Sequence, residues 1–280
     1  RLRPFFASLP GEEAARIADI IRYLSLWMVF TDPPQHTRLR RLTGRVFSTR
    51  AMQGMRAQAA AIAGELLDGL EGREHIDLIT DFAGPLPCLV IMAMLGVPRE
   101  RLPELKRLSD EMALFIGSSR TSPEKYDIAN GMLSLMRFPG EQQRLREDPT
   151  LAAAAVEELL RYDGPSGAQV RIVREAHELH GKRLEPGQRV FIMLNAANRD
   201  PRAYADPDRL DLGRDGVPHL TFGFGSHICL GFPLARTEGE VAFPALLARY
   251  AHFEPLAEPE WINSLVFRGM KALPVAVRRA

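Results

Sequence analysis

Through the first two thirds of the chain the apolar residues recur at helical spacing, and alternation takes over only after Gly164-Pro165. Glu12 to Trp27 is helical in composition. Thr37 to Phe47 is basic and amphipathic, with Leu39, Leu42 and Val46 on one face. Ala51 to Leu70 is alanine-rich, and Leu66, Leu67 and Leu70 form its expected core side. Leu86 to Leu95 predicts a nearly continuous apolar helix stopped by Gly96 and Pro98. Glu100 to Ile116 and Pro123 to Met136 predict two more helices. Asp148-Pro149, an N-cap and a first-turn proline, opens another that runs through Ala152 to Tyr162. Gln169 to Val173 and Leu179 to Leu184 alternate as strands, the second broken at Gly181. Pro186-Gly187 predicts a tight turn and Arg189 to Leu194 a buried strand. Helix returns over Pro233 to Tyr250, with Pro244 a possible kink, and Ala272 to Val277 reads as strand. The expected fold class is mainly α with small β-sheets (α+β). Residues 1–280 form one expected domain, helix-rich over 1–165 and β-containing over 166–280.

Composition narrows the functional classes. The 280 residues carry 36 basic and 35 acidic side chains, a formal net charge of +1, which gives no support for a nucleic-acid or membrane-surface partner. The 2 cysteines, Cys88 and Cys229, argue against a secreted disulfide scaffold and for a reducing, cytoplasmic setting. An apolar run such as Leu26 to Phe30 is far too short to cross a bilayer, and no signal-peptide pattern is present. Cys88, in an apolar helix, reads as a small hydrophobe.

The chemistry concentrates in Phe222-Gly223-Phe224-Gly225-Ser226-His227-Ile228-Cys229-Leu230-Gly231. Gly223, Gly225 and Gly231 allow tight turns and close approach to a flat ligand. Cys229 precedes a helix N-terminus, where the dipole and free N–H groups favour a thiolate. Such a thiolate is a good soft ligand for iron. Phe222 is placed to pack on a flat ligand, and His227 to donate to one of its carboxylates. The blander reading is a glycine-rich loop with an incidental cysteine, but ten residues of this composition and order favour ligation.

This run resembles the signature around the axial cysteine of the cytochrome P450 family. Other segments extend the resemblance. Glu158 and Arg161, one helical turn apart, are similar to the family's Glu-x-x-Arg motif, and Pro207-Asp208-Arg209 is similar to the segment that supplies its second arginine. The resemblance implies that Glu158, Arg161 and Arg209 form a buried network behind the cysteine loop. Asp32 to Leu42 resembles the helix whose histidine and arginine bind the haem propionates, which implies that role for His36 and Arg40. Trp27 resembles a tryptophan at the same haem edge. Arg171 falls where the family places another propionate-binding arginine, with Arg174 competing for the role. Ala196 to Pro201 resembles the segment between sheet and cysteine loop.

The resemblance implies haem b as cofactor and the oxygenation of a small organic substrate, with electrons from a ferredoxin-type donor and its reductase. Arg38, Arg40 and Arg41 are candidates for docking that donor. The likeness is to an incomplete P450 fold. A first helix and sheet are expected before Pro4, and a long central helix on the distal haem face is expected between Met136 and Pro139, where the flanking helix Pro123 to Met136 resembles one from the substrate-access region. No Ala-Gly-x-x-Thr-like run occurs. The alternative is therefore a non-catalytic or peroxide-dependent haem-binding protein.

Overall fold

The computed structural model describes residues 18–19, 22–105, 107–108, 124–215 and 218–280. The helices expected over 12–27 and 100–116 lie largely outside them. Helix α1 (Gln35–Thr43) follows a short 3-10 turn, Met28–Phe30. Its expected apolar face is not buried: Leu42 and Val46 are 59% and 53% exposed, and the residue it turns inward is His36. Among the described residues the 3-10 turn is its main packing partner, and the Leu42 side is exposed.

The alanine-rich stretch forms two helices, α2 (Thr49–Gly54), capped by the Ser48 hydroxyl, and α3 (Arg56–Asp68). Helix α3 buries Ala59, Ile62, Ala63 and Leu67, one face at helical spacing. Strand β1 (His75–Asp77) and a π-helical segment, Leu78–Ala83, lead to α4 (Pro85–Leu95), which stops at Gly96 as expected. Leu78–Leu95 is apolar and long enough to cross a membrane, but half of it is buried, and it packs on α3 and on α5 (Glu124–Arg137) as a core helix does.

Helix α5 is enclosed on all sides. Of residues 126–135 only Asp127 escapes full burial. Phe138 alone separates α5 from α6 (Pro139–Glu147), and the two helices pack on one core. A 3-10 turn capped by Asp148 then opens α7 (Ala152–Asp163).

Beyond it, β2 (Ala168–Ile172), the hairpin β3 (His177–Leu179) and β4 (Lys182–Leu184), and β5 (Arg189–Met193) form two antiparallel ribbons, β2–β5 and β3–β4. The expectation that Arg189 to Leu194 is buried fails. Phe191, Ile192 and Met193 are each more than 40% exposed, because among the described residues no layer packs over the two-stranded ribbon; Leu194, already in α8 (Leu194–Ala197), is buried. The last long helix, α9 (Phe232–Arg249), contains Pro244 and packs on α2, α3, α5, α6 and α7, so both parts of the chain share one core. At its crossing with α5 the Phe243 ring packs onto Gly131, where a Cβ would lie 2.5 Å from its Cζ. Strands β6 (Tyr250–Pro255) and β7 (Pro274–Arg279) complete a sheet of order β1-β7-β6.

Candidate cofactor site

The cysteine loop lies between Thr221 and α9. Gly223 takes φ +76°, the left-handed region that favours glycine, and the Gln169 side-chain amide packs against it. A 3-10 turn over Gly225–His227 returns the chain, and the Cys229 N–H donates to the Phe222 carbonyl at 2.8 Å. Cys229 is exposed, three residues before α9 begins at Phe232. Gly231 leaves space beside it: a Cβ there would stand 4.0 Å from Cys229 Sγ. Phe222 sits between the His219 and Phe232 rings, at 5.5 and 6.0 Å.

Helix α1 lies against this loop. Arg40 Nη2 donates to the Cys229 carbonyl at 3.4 Å, and the His36 and His227 rings stack 4.0 Å apart. Burial first, then the charges of His36, Arg171 and Arg40, push the His227 imidazole below its usual range. These four side chains, expected from three separate segments, therefore share one electrostatic site. Among the described residues none of them forms an ion pair. Arg174 is elsewhere, 82% exposed and paired with Glu175. Arg171 is held by the Val170 carbonyl and the Gln169 side chain, both at 3.0 Å. Trp27 is 40% exposed.

Behind the loop is a buried polar network. Arg161 makes a bidentate pair with Glu158, at 2.7 and 2.8 Å, and donates to the carbonyls of Asn198, Pro207 and Arg209. The second guanidinium on Glu158 belongs to Arg214, at 3.1 Å, not to Arg209. The turn through Asp206, which has φ +45°, directs the backbone of 205–209 inward, and Arg209 contributes only its carbonyl while its side chain is exposed. Arg214 was not legible in a motif search, because its place follows from the fold of this meander and not from a helical repeat. Asn198, fully buried, ties the meander to the loop: it accepts from Leu220 N–H and donates to Thr221 Oγ1, whose hydroxyl donates to the Leu160 carbonyl of α7.

The cytochrome P450 family model matches residues 135–271. Cytochrome P450 CYP107DY1 of Priestia megaterium is 34% identical, over 89% of this chain and 76% of its own length. The chain belongs to the cytochrome P450 family. The 6-deoxyerythronolide B hydroxylase of Saccharopolyspora erythraea is 31% identical over 92% of this chain and 79% of its own. The crystal structure of myxobacterial cytochrome P450 CYP267B1 in complex with myristic acid superposes with a TM-score of 0.85 at 33% identity, covering 98% of this chain and 85% of that one. As a P450-type monooxygenase, an oxidoreductase whose family uses haem, the chain falls with catalytic relatives, and the non-catalytic or peroxide-dependent alternative is not favoured. The alignment with CYP107DY1 spans 311 positions yet takes in 89% of these 280 residues, about 249, so about sixty positions inside the P450 relative's span have no counterpart here.

The residues fit haem. His36 is 2% exposed and its Nε2 is buried with no hydrogen-bond partner, a costly arrangement that a ligand carboxylate would relieve. Around it, Arg40, Arg171 and His227 offer charge-assisted donors for the two propionates that haem carries.

Proposed function

We propose that Cys229 holds the haem iron as a thiolate, that His36, Arg40, Arg171 and His227 bind the propionates, and that Phe222, Gly223 and Gly231 shape the surface on which the porphyrin lies. The observation that carries this reading is the convergence of unpaired cationic side chains on an exposed cysteine held in a glycine turn. Glu158, Arg161 and, in place of Arg209, Arg214 assemble the site from behind and take no part in bond chemistry. We treat 1–280 as one haem domain, on the strength of its shared core.

The reaction is the hydroxylation of a small lipophilic substrate with dioxygen, in the cytoplasm, with electrons from a ferredoxin-type donor and its reductase. Bound haem supplies the oxygen chemistry, and the protein supplies ligand, orientation and exclusion of water. The carbonyl of Cys229 is engaged by Arg40 and its N–H by Phe222, so the loop has little freedom to turn the sulfur away. Exposed Arg38 and Arg41 on α1 offer positive charge to an acidic donor. The lipophilic class is supported by the macrolactone and fatty acid named for two relatives. The test is turnover of a panel of fatty acids, macrolactones and terpenoids with a ferredoxin–reductase system under isotope-labelled dioxygen. Labelled hydroxyl in a product is expected; no labelled product from a haem-replete preparation would contradict the reading.

A further inference from the structure

The strongest unassigned feature is an ionic clamp on the face of α7 next to Glu158. Arg236, on α9, donates from Nε and Nη2 to the two oxygens of Glu157 at 2.5 and 2.7 Å. His219 approaches the same carboxylate, its Nε2 3.4 Å from Glu157 Oε2. The imidazole is only 3% exposed, and its Nδ1 accepts the Thr221 N–H at 3.1 Å, which fixes the ring from the other side. Burial by itself would raise the Glu157 carboxyl, but the Arg236 and His219 contacts outweigh it and hold it at about 2. The clamp encloses an aromatic side chain. Arg236 lies 5.1 Å over the Phe222 ring and 4.9 Å over the Phe232 ring, and His219 stands 5.5 Å from Phe222. Phe222 in turn accepts the Cys229 N–H through its carbonyl at 2.8 Å.

We propose that Glu157 is a positioning residue which, through Arg236 and His219, fixes Phe222 and thereby the direction in which the cysteine loop presents its sulfur. The mechanical chain is short: carboxylate to guanidinium and imidazole, these to the Phe222 ring, and the Phe222 carbonyl to the Cys229 amide. Glycine turns alone leave such a loop several conformations, since Gly223 and Gly225 tolerate them. A charged clamp on the aromatic residue selects one. Neighbouring carboxylates of α7 thus have separate tasks: Glu158 secures the 198–214 meander and Glu157 secures the cysteine loop.

The effect on the sulfur rests on Cys229 being the haem ligand; the effect on the loop does not. Two measurements on full-length Glu157→Gln, Arg236→Lys and wild type separate them. In the haem-free protein, hydrogen exchange over residues 219–231 is expected to quicken about tenfold in Glu157→Gln, the loss of a charge-assisted contact, and to recover partly in Arg236→Lys, which keeps the charge. In the haem-loaded protein, the red-shifted thiolate band of the ferrous–CO complex is expected to decay faster to the blue-shifted form in Glu157→Gln, at temperatures below its unfolding midpoint. Wild-type exchange across the loop in Glu157→Gln overturns the clamp. A lowered unfolding midpoint with unchanged loop exchange and an unchanged band overturns it too, leaving Glu157 a generic stabiliser. Faster exchange in a protein whose wild type shows no thiolate band supports the clamp and contradicts ligation by Cys229.

Discussion

Arg171 and Arg174 are three residues apart, and sequence spacing left both open as partners of a ligand carboxylate. The structure separates them by environment: the charge of Arg171 is felt at His227, while Arg174 pairs with Glu175 in solvent. Arg171→Ala is therefore expected to speed haem dissociation about tenfold or more, the worth of a charged hydrogen bond, and Arg174→Ala to leave it unchanged, as measured by haem transfer to an acceptor globin. A second pair behaves the same way. Arg209, singled out by its motif, is exposed, and Arg214 carries the contact with Glu158. Arg209→Ala should change stability by no more than about 0.5 kcal/mol, and Arg214→Ala should cost about 1.5–3 kcal/mol in urea unfolding. Equal effects would contradict the assignment. Cys229, His36 and Arg40 each stand at a recognisable spacing, and the structure brings their segments together. Arg214 was not legible, because its side chain is aimed by an irregular turn.

At the scale of elements, α7 holds the site together. Its Glu158–Arg161 pair is nearly fully buried, with side chains 4% and 2% exposed, so Glu158→Ala strands a guanidinium in the core at a cost of roughly 3–5 kcal/mol. Poor haem retention is the expected outcome; normal haem content with an altered product pattern would contradict the structural role. Glu157 adds a pH signature. Its carboxyl is lowered from 4.5 to about 2 on folding, so its stabilisation is complete above pH 4.5, declines as the pH falls from there toward 2, and is absent below. The gap in urea midpoint between wild type and Glu157→Gln should be constant near neutrality and close across that acid window. Helices with one clear buried stripe or firm stop signals, such as α3, α4 and α7, were legible in the sequence. The short strands β1 and β6 were not, because strands of this length become stable only through the pairing that β7 provides.

For the molecule as a whole, the sequence revealed the fold class and misjudged which surfaces are covered. The apolar run in β5 and the Leu42 side of α1 look like core but face outward, since burial depends on a partner layer that a single strand or helix cannot report. Conversely α5 is enclosed by α7, α9 and the π-helical segment. About sixty residues present in P450 relatives are absent within the aligned span, yet the core, the Glu158 network and the cysteine loop are intact. Haem–thiolate ligation should therefore survive the shortening. Its most direct test is the ferrous–CO absorption spectrum of the purified chain after incubation with hemin, beside that of Cys229→Ala. The expected result is a strongly red-shifted Soret band in the first and none in the second; a wild-type spectrum without that band, or its persistence in Cys229→Ala, would contradict the assignment of Cys229 as the iron ligand.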